Sequence, residues 1–442
     1  MSTGPNTANP PSILFASPMN VLDITSGAAL SMRTLLSALA ATGFRAVALG
    51  ATLFDSSFGG EHVVSAGEQQ KDKKVLRTKV LGVEHLIVRT EQHQRIKMTS
   101  EEEERYIRLF RSELKNRRPD VIITWGGLLL ETTIMREARE AGIPVVFYLV
   151  SANYKDIETF RHVSAIVTDT QATADVYKER FNFNCHVIGK FIDERLIKAP
   201  QRDPKFITFI NPSFEKGVNV FMPMARIAAK ERPDIKFLVV QSRGRWANAL
   251  HLFKYEPKEF PNVKIIGHQK DMRNVYAVTK ALLLPSTWHE SGARVIAESL
   301  LNHIPVVASH TGGSRELVGE GGLILTLPDA VCEKKGEPAD EHTAREWFDV
   351  VTRIWDDEAY YQSLVEGARK ESAQHDIRHN LQRFMRAITP AIQASKKLPP
   401  PVERPAGEQL RFEAASKPMQ DLVKQALAKK QASAARRSRA KR

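Results

Sequence analysis

Residues 281–300 read Ala-Leu-Leu-Leu-Pro-Ser-Thr-Trp-His-Glu-Ser-Gly-Ala-Arg-Val-Ile-Ala-Glu-Ser-Leu. The apolar run Ala281 to Leu284, closed by Pro285, has the pattern of a short buried strand. A loop of small residues follows and carries Glu290. A helix is expected to open near Ser291 or Gly292 and to hold Glu298 about two turns inside. The next apolar run, Val306 to Ala308, completes a strand–loop–helix–strand unit, the building block of a parallel sheet covered by helices.

The same rhythm runs outward in both directions. On the second half, strands are expected at Phe206 to Phe209, Lys236 to Val240, Val263 to Ile266 and Leu323 to Leu325. On the first half they fall at Ile13 to Ala16, Arg45 to Leu49, Val121 to Thr124, Val145 to Leu149 and Ala165 to Val167. Met32, Leu35, Leu36 and Leu39 share one face of the helix between the first two of these. Ser100-x-x-Glu103 reads as a capping box opening another helix. The pattern pauses in the polar stretch Asp193 to Pro204. The expected fold is therefore α/β, with two doubly wound, Rossmann-like domains facing a cleft. In such sheets ligands sit beyond the carboxyl ends of the strands. The expected boundaries are 12–200 for an N-terminal domain, 201–375 for a C-terminal domain, and 376–394 for a closing helix. Segments 1–11 and 395–442 are expected to be disordered.

At roughly 150 residues per domain, 442 residues suit about three units, and the body of the chain suits two large ones. A composition 42% hydrophobic and 26% charged is that of a globule, not of a fibre or a multispan membrane protein. Two cysteines, Cys185 and Cys332, make no disulfide framework and suggest a reducing compartment. The net charge of +13 is concentrated at one end: residues 395–442 hold 13 Lys/Arg against 4 Asp/Glu. The body is nearly balanced, so no specific nucleic-acid partner is inferred. The polar, Pro-rich N-terminus is not read as a secretory signal. The expected location is the cytoplasm, with the basic tail offering a peripheral contact to the inner membrane.

Glu290 and Glu298 flank an expected helix start, where free backbone N–H groups and the dipole suit a phosphate. Each carboxylate is an acceptor matched to vicinal hydroxyls, as on a ribose or a hexose. Taken singly, two glutamates at this spacing most often face solvent, and Gly312-Gly313 after a strand is most often a turn. The order Pro-Ser, Glu-x7-Glu, Pro-Val-Val-Ala-Ser, Gly-Gly-x-x-Glu within residues 285–316 is far more specific.

On these motifs the sequence resembles the family 4 retaining glycosyltransferases of the GT-B fold, the "glycosyl transferases group 1" type. Phe214-Glu215-Lys216-Gly217 looks like the family's Glu-Lys-Gly loop, which implies that Lys216, with Gly217 beside it, neutralises the donor diphosphate. Val263 to Gly267 and His268 is similar to the stretch whose backbone reads the nucleotide base. Ser26-Gly27 occupies the place of the N-domain glycine loop. Trp125-Gly126 and Asn153-Tyr154 are expected on the acceptor side. The resemblance covers roughly residues 12–390, and is strongest in the second half.

Three positions depart from the family pattern. Asn211 stands where an arginine is usual, five residues before Lys216, with Arg243 or Arg294 as substitutes for its charge. Gly292-Ala293 replaces Phe-Gly. Leu149-Val150-Ser151 stands where an N-domain histidine is usual.

The resemblance implies transfer of a sugar from a nucleotide-sugar donor, with retention, to a carbohydrate, lipid or small-molecule acceptor. Lys216 and the helix start at Ser291, Gly292, Ala293 and Arg294 would stabilise the leaving diphosphate. Glu290 would hold sugar hydroxyls and Glu298 the ribose. No cofactor and no metal are expected: there is no Asp-x-Asp, and the 13 histidines are read as forming no H-x-x-x-H or Cys/His cluster. Walker, dinucleotide and nucleophile-elbow motifs are absent. Two other readings stay open on the same residues: a sugar-nucleotide epimerase, and a catalytically degenerate GT-B protein that binds sugar nucleotides or acts as a scaffold.

Overall fold

The computed structural model describes residues 10–56, 59–334 and 336–396. What is expected of residues 1–9, and of the tail beyond residue 396, lies outside the described residues.

The inner apolar runs become strands because they are buried on both faces by helices. The first sheet contains β1 (Ser12–Ala16), β2 (Arg45–Ala51), β3 (Val75–Val80), β4 (Val83–Val88), β5 (Val121–Thr124), β6 (Val145–Leu149), β7 (Ala165–Thr168) and β8 (His186–Val187). Their order is β3-β4-β2-β1-β5-β6-β7-β8. The second sheet contains β9 (Phe206–Ile210), β10 (Phe237–Val240), β11 (Val263–Ile266), β12 (Thr279–Leu284), β13 (Val306–Ser309) and β14 (Gly322–Leu325), in the order β11-β10-β9-β12-β13-β14. All pairings are parallel except β3 with β4. The fold is thus α/β, with two Rossmann-like sheets.

The β3–β4 hairpin is an addition to the doubly wound pattern expected from sequence. Its turn residues, Leu81 and Gly82, have φ of 49° and 82°, as a two-residue turn between right-twisted strands requires. β3 alternates half-exposed and exposed positions around buried Leu76. An edge strand of this kind has no continuous apolar run to announce it.

Apolar clusters lie on each face of each sheet. Phe15, Leu35, Leu36, Val146, Tyr148 and Phe191 share one with Phe384 and Ile388. These last two lie on the final helix, Ile377–Lys396, so the chain ends its described part by returning to the first sheet. Asn380 on that helix donates to the Lys190 carbonyl at 2.9 Å, which ties down the segment crossing from β8 to β9. The second sheet is backed by Phe209, Phe221, Phe237, Trp246 and Trp347.

Two local boundaries differ from expectation. The capping box of helix Ser100–Arg117 is formed by Thr99 and Glu102, one residue earlier than expected. The helix carrying Glu298 is Arg294–Leu301, not one opening at Ser291 or Gly292. Residues 291–293 stay outside the helix, where they lie against the first lobe. The Ser291 carbonyl accepts from Thr170 Oγ1 at 2.9 Å, and Gly292 abuts Asp169. Glu298 therefore sits about one turn inside its helix.

Candidate functional site

The contacts between the lobes come from loops that follow strands. After β7, Thr170 and Thr173 reach the Ser291 carbonyl, and Thr173 Oγ1 lies 3.3 Å from His289 Nε2. The helix Gln171–Phe181 opens there, and Glu316 from the other lobe receives Gln171 N–H at 2.7 Å and Ala172 N–H at 3.2 Å. After β1, Gly27 lies beside Arg294: a Cβ on Gly27 would be 3.9 Å from Arg294 Cβ. After β2, Asp55 meets Arg243, which follows β10, at 3.4 Å. Carboxyl-terminal loops of both sheets thus face one another across a single seam, the place where open α/β sheets bind ligands.

Lys216 and Glu290 meet in this seam. Lys216 Nζ is 2.6 Å from Glu290 Oε1, and Ser286 Oγ donates to the same oxygen at 2.5 Å. The lysine comes from the turn after β9, the glutamate from the loop after β12, the strand next to β9. Their approach depends on Gly217. It has φ of 83°, and a Cβ there would stand 1.7 Å from the Pro285 carbonyl oxygen. Only glycine allows the two loops to close this far. The other side of Glu290 is held by Gly313 N–H, which donates to its carbonyl at 2.7 Å. Glu290 is 6% exposed.

Glu298 is buried, and both of its oxygens are engaged. Tyr276 OH donates to Oε2 at 2.6 Å, and Arg294 Nε donates to Oε1. Burial first, and then the Glu298 charge, push the Tyr276 phenol well above its ordinary pKa, so it stays a donor. Arg294 also donates to the Phe191 carbonyl at 2.8 Å and to Ser31 Oγ at 3.3 Å. It is therefore a bridge between lobes, occupied by three partners. Arg33, one residue from Met32 on helix Gly27–Ala41, was not singled out in the sequence. Burial and the nearby Arg294 charge lower its pKa to about 10, opposed by Asp23.

Ala293 is the N-cap of Arg294–Leu301 and supplies no side-chain hydrogen bond, so it caps none of the first-turn N–H groups itself. Ser26 likewise caps helix Gly27–Ala41 without a side-chain bond. Asn211 has φ of 64°, and its Oδ1 accepts from Gly244 N–H at 2.6 Å. Asparagine is here the residue that tolerates a left-handed backbone and closes a loop. Neither sequence substitute for a cation at 211 is free: Arg243 is paired with Asp55, and Arg294 with Glu298. Gly267 is open, with nothing within 4 Å of a Cβ, and His268 is half-buried beside it.

On the first lobe, Gly126 and Tyr154 are joined by a hydrogen bond from Gly126 N–H to Tyr154 Oη at 3.1 Å. Burial raises the Tyr154 pKa to about 12. Asn153 is exposed in the same turn. Trp125 is 7% exposed and packs edge-on to Phe15 with centroids 4.7 Å apart, so its ring belongs to the core under the loop.

The least legible part of the site is a buried charged group after β7. Asp169 takes hydrogen bonds from Tyr148 OH and from Lys190 Nζ, the latter at 2.5 Å. Its carboxylate faces Gly292 across the seam. Tyr148 and Lys190 each lie 21 residues from Asp169 in sequence, and no local motif links them. The sequence reading also passes over His375 and His379, which do stand four apart. His375 is buried and burial lowers its pKa to about 4. Among the described residues no three His, Cys, Asp or Glu side chains gather as a metal site.

This architecture is the GT-B fold of glycosyltransferases. Residues 204–334 match the family described as Glycosyl transferases group 1. Spore coat protein SA of Bacillus subtilis (strain 168) is 26% identical over 125 residues, a match covering 26% of this chain and 33% of that protein. The chain thus spans about a third of the length of that curated relative. Among solved structures, a sucrose-phosphate synthase from Thermosynechococcus elongatus superposes with a TM-score of 0.65 at 16% identity, covering 87% of this chain and 100% of that one. A glycosyltransferase from Rickettsia africae ESF-5 gives 0.62 at 14% identity, covering 89% and 100%. Anabaena HepE in complex with UDP and glucose gives 0.60 at 16% identity, covering 85% and 99%.

Proposed function

We propose that the protein transfers a sugar from a nucleotide-sugar donor to an acceptor, with retention at the anomeric carbon and without a metal. The observation that carries this reading is the Lys216–Glu290 pair at the interlobe seam, 2.6 Å apart. The match of residues 204–334 to a glycosyltransferase family supports it from an independent side. On this reading 12–200 is the acceptor-side domain and 201–375 the nucleotide-sugar domain, with family 4 as the closer affiliation.

Charge builds on the diphosphate as the glycosidic bond breaks. A fixed ammonium and an uncapped helix start answer it without reorganising. Lys216 supplies the first, and the backbone at Ser291–Arg294 the second. When a donor enters, the diphosphate competes with Glu290 for Lys216, and Glu290 turns to the sugar hydroxyls. Glu298 already accepts two hydrogen bonds, one on each oxygen. A carboxylate has about four acceptor positions, which leaves room for a ribose hydroxyl. Gly267 and His268 lie at the base side, Ser26 and Gly27 across the seam, and Gly126, Asn153 and Tyr154 on the acceptor side.

The test is calorimetric titration with a panel of nucleotide sugars, together with release of free nucleotide with and without acceptors. UDP-glucose is the first donor to try, since the HepE structure was obtained with UDP and glucose. Binding, acceptor-dependent nucleotide release and a product of unchanged anomeric configuration are expected. Conversion of donor with no acceptor would favour the epimerase reading. Binding without turnover on any acceptor would favour the degenerate one, and no binding of any nucleotide sugar would end the proposal.

A further inference from the structure

Trp288 is 43% exposed, while Trp125, Trp246 and Trp347 are buried. It projects from a backbone held on both sides. Before it, Thr287 N–H and Oγ1 donate to the Glu215 and Phe214 carbonyls at 3.2 and 2.8 Å, and Ser286 Oγ donates to the Glu215 carbonyl at 2.7 Å. After it, His289 meets Thr173 of the first lobe, and Glu290 is fixed by Lys216 and Ser286. The loop spends its polar contacts on fixing its own course and leaves an exposed apolar ring two residues from Glu290, on a loop whose next residue, His289, touches the first lobe.

A rigidly presented indole is a large apolar face that loses little conformational freedom on binding. The axial C–H face of a pyranose is its natural complement: apolar, flat, and rimmed by hydroxyls that stay in water. Glu290 is buried while Trp288 is exposed, so the ring stands outside the position proposed above for the donor sugar. We propose that Trp288 is a stacking platform for a pyranose ring of the acceptor, which makes the acceptor a saccharide or glycoconjugate. The inference rests on the proposed transfer reaction and deepens it. Trp288 is a positioning residue, since it moves no proton and stabilises no charge.

The experiment compares the wild type with Trp288→Ala and Trp288→Phe in the full chain. Circular dichroism establishes that all three are folded. Acceptor KM is expected to rise roughly 10-fold or more in the alanine variant and to be largely restored by phenylalanine. Donor KM and donor hydrolysis in the absence of acceptor should not change. An unchanged acceptor KM in Trp288→Ala overturns the proposal. So does a parallel fall in donor hydrolysis, which would mean that the ring supports the Glu290 loop. A second readout is independent of turnover: saturation-transfer NMR with methyl α- and β-glucopyranoside and maltose. Saturation of ring C–H protons by the wild type, lost in Trp288→Ala, supports the platform even if no donor is ever turned over, in which case the transfer reading alone fails. Equal signals in both proteins, or none in the wild type, overturn it.

Discussion

Gly292 of the second lobe lies directly against the carboxylate of Asp169 of the first: a Cβ at Gly292 would stand 2.5 Å from Asp169 Oδ2 and 2.6 Å from its Cβ. Asp169 cannot retreat, because Lys190 and Tyr148 hold both of its oxygens. The seam is therefore set by contact between a buried charge and a residue with no side chain, one position from the start proposed for diphosphate binding.

Gly292→Val is expected to push the lobes apart. Overpacking of this kind typically costs about 1–3 kcal/mol, and a displacement of ~1 Å at the reacting groups costs about 10²-fold in rate. Small-angle scattering and nucleotide release check the two effects. An unaltered rate in Gly292→Val would show that the seam does not set the geometry of the reaction.

Lys190 and Asp169 are both almost fully buried. Lys190→Met leaves a carboxylate with one neutral donor in a dry place, so a loss of about 3–5 kcal/mol is expected. Asp169→Asn combined with Lys190→Met removes both charges and should recover most of it. Urea unfolding of the two variants makes the comparison. Equal losses would mean that the pair is not what the seam depends on.

Lys216→Ala should lower single-turnover transfer by about 10²–10³-fold, the usual effect of removing one preorganised donor. Its side chain is 24% exposed, so the fold should survive. Glu298→Ala should likewise lower transfer, with weaker donor binding as the signature. Wild-type rates in either variant remove that residue from the site.

Acid should destabilise the protein through two buried histidines. Burial, then the Arg33 charge, lowers the His85 pKa to about 4, and burial lowers that of His375 to about 4. A free histidine titrates near ~6.5. Below that pH the unfolded chain takes up protons that the folded chain refuses until about pH 4. Stability is therefore full above ~6.5 and falls as pH drops toward 4, by roughly 3 kcal/mol for each group. His85→Leu should flatten the urea midpoint in this window. A slope identical to the wild type would contradict the assignment.

Residues 395–442 carry 9 more basic than acidic side chains. Deleting 397–442 should leave transfer to a water-soluble acceptor unchanged and reduce partition onto vesicles containing anionic lipid. Loss of transfer on deletion would give the tail a part in the reaction.

Most strands of both sheets could be read from the chain because each is a local apolar run between turn residues, such as Val121–Thr124 or Val306–Ala308. Burial on two faces writes itself into consecutive residues. The hairpin Val75–Val88 escaped because its edge strand Val75–Val80 is only half covered, and because the buried strand Val83–Val88 has its apolar run broken by Glu84 and His85. The juxtaposition of Lys216 with Glu290 was also legible, through motifs on adjacent strands that a shared architecture places together. The start of the Glu298 helix was not: periodicity cannot see that Gly292 is pressed on Asp169 and stays outside the helix.

The amino-acid order alone determined the two-sheet architecture and the spacing of Lys216, Glu290 and Glu298 along it, since short-range pattern and backbone chemistry are carried by neighbours in the chain. Only the folded molecule decided how those residues are used. It closed Gly217 on Pro285, occupied Arg294 and Glu298 with partners, set Glu316 on the helix at Gln171, and buried Asp169 with Lys190 and Tyr148. These contacts join positions tens to hundreds of residues apart, and their energies depend on burial, which exists only after the lobes have formed and met.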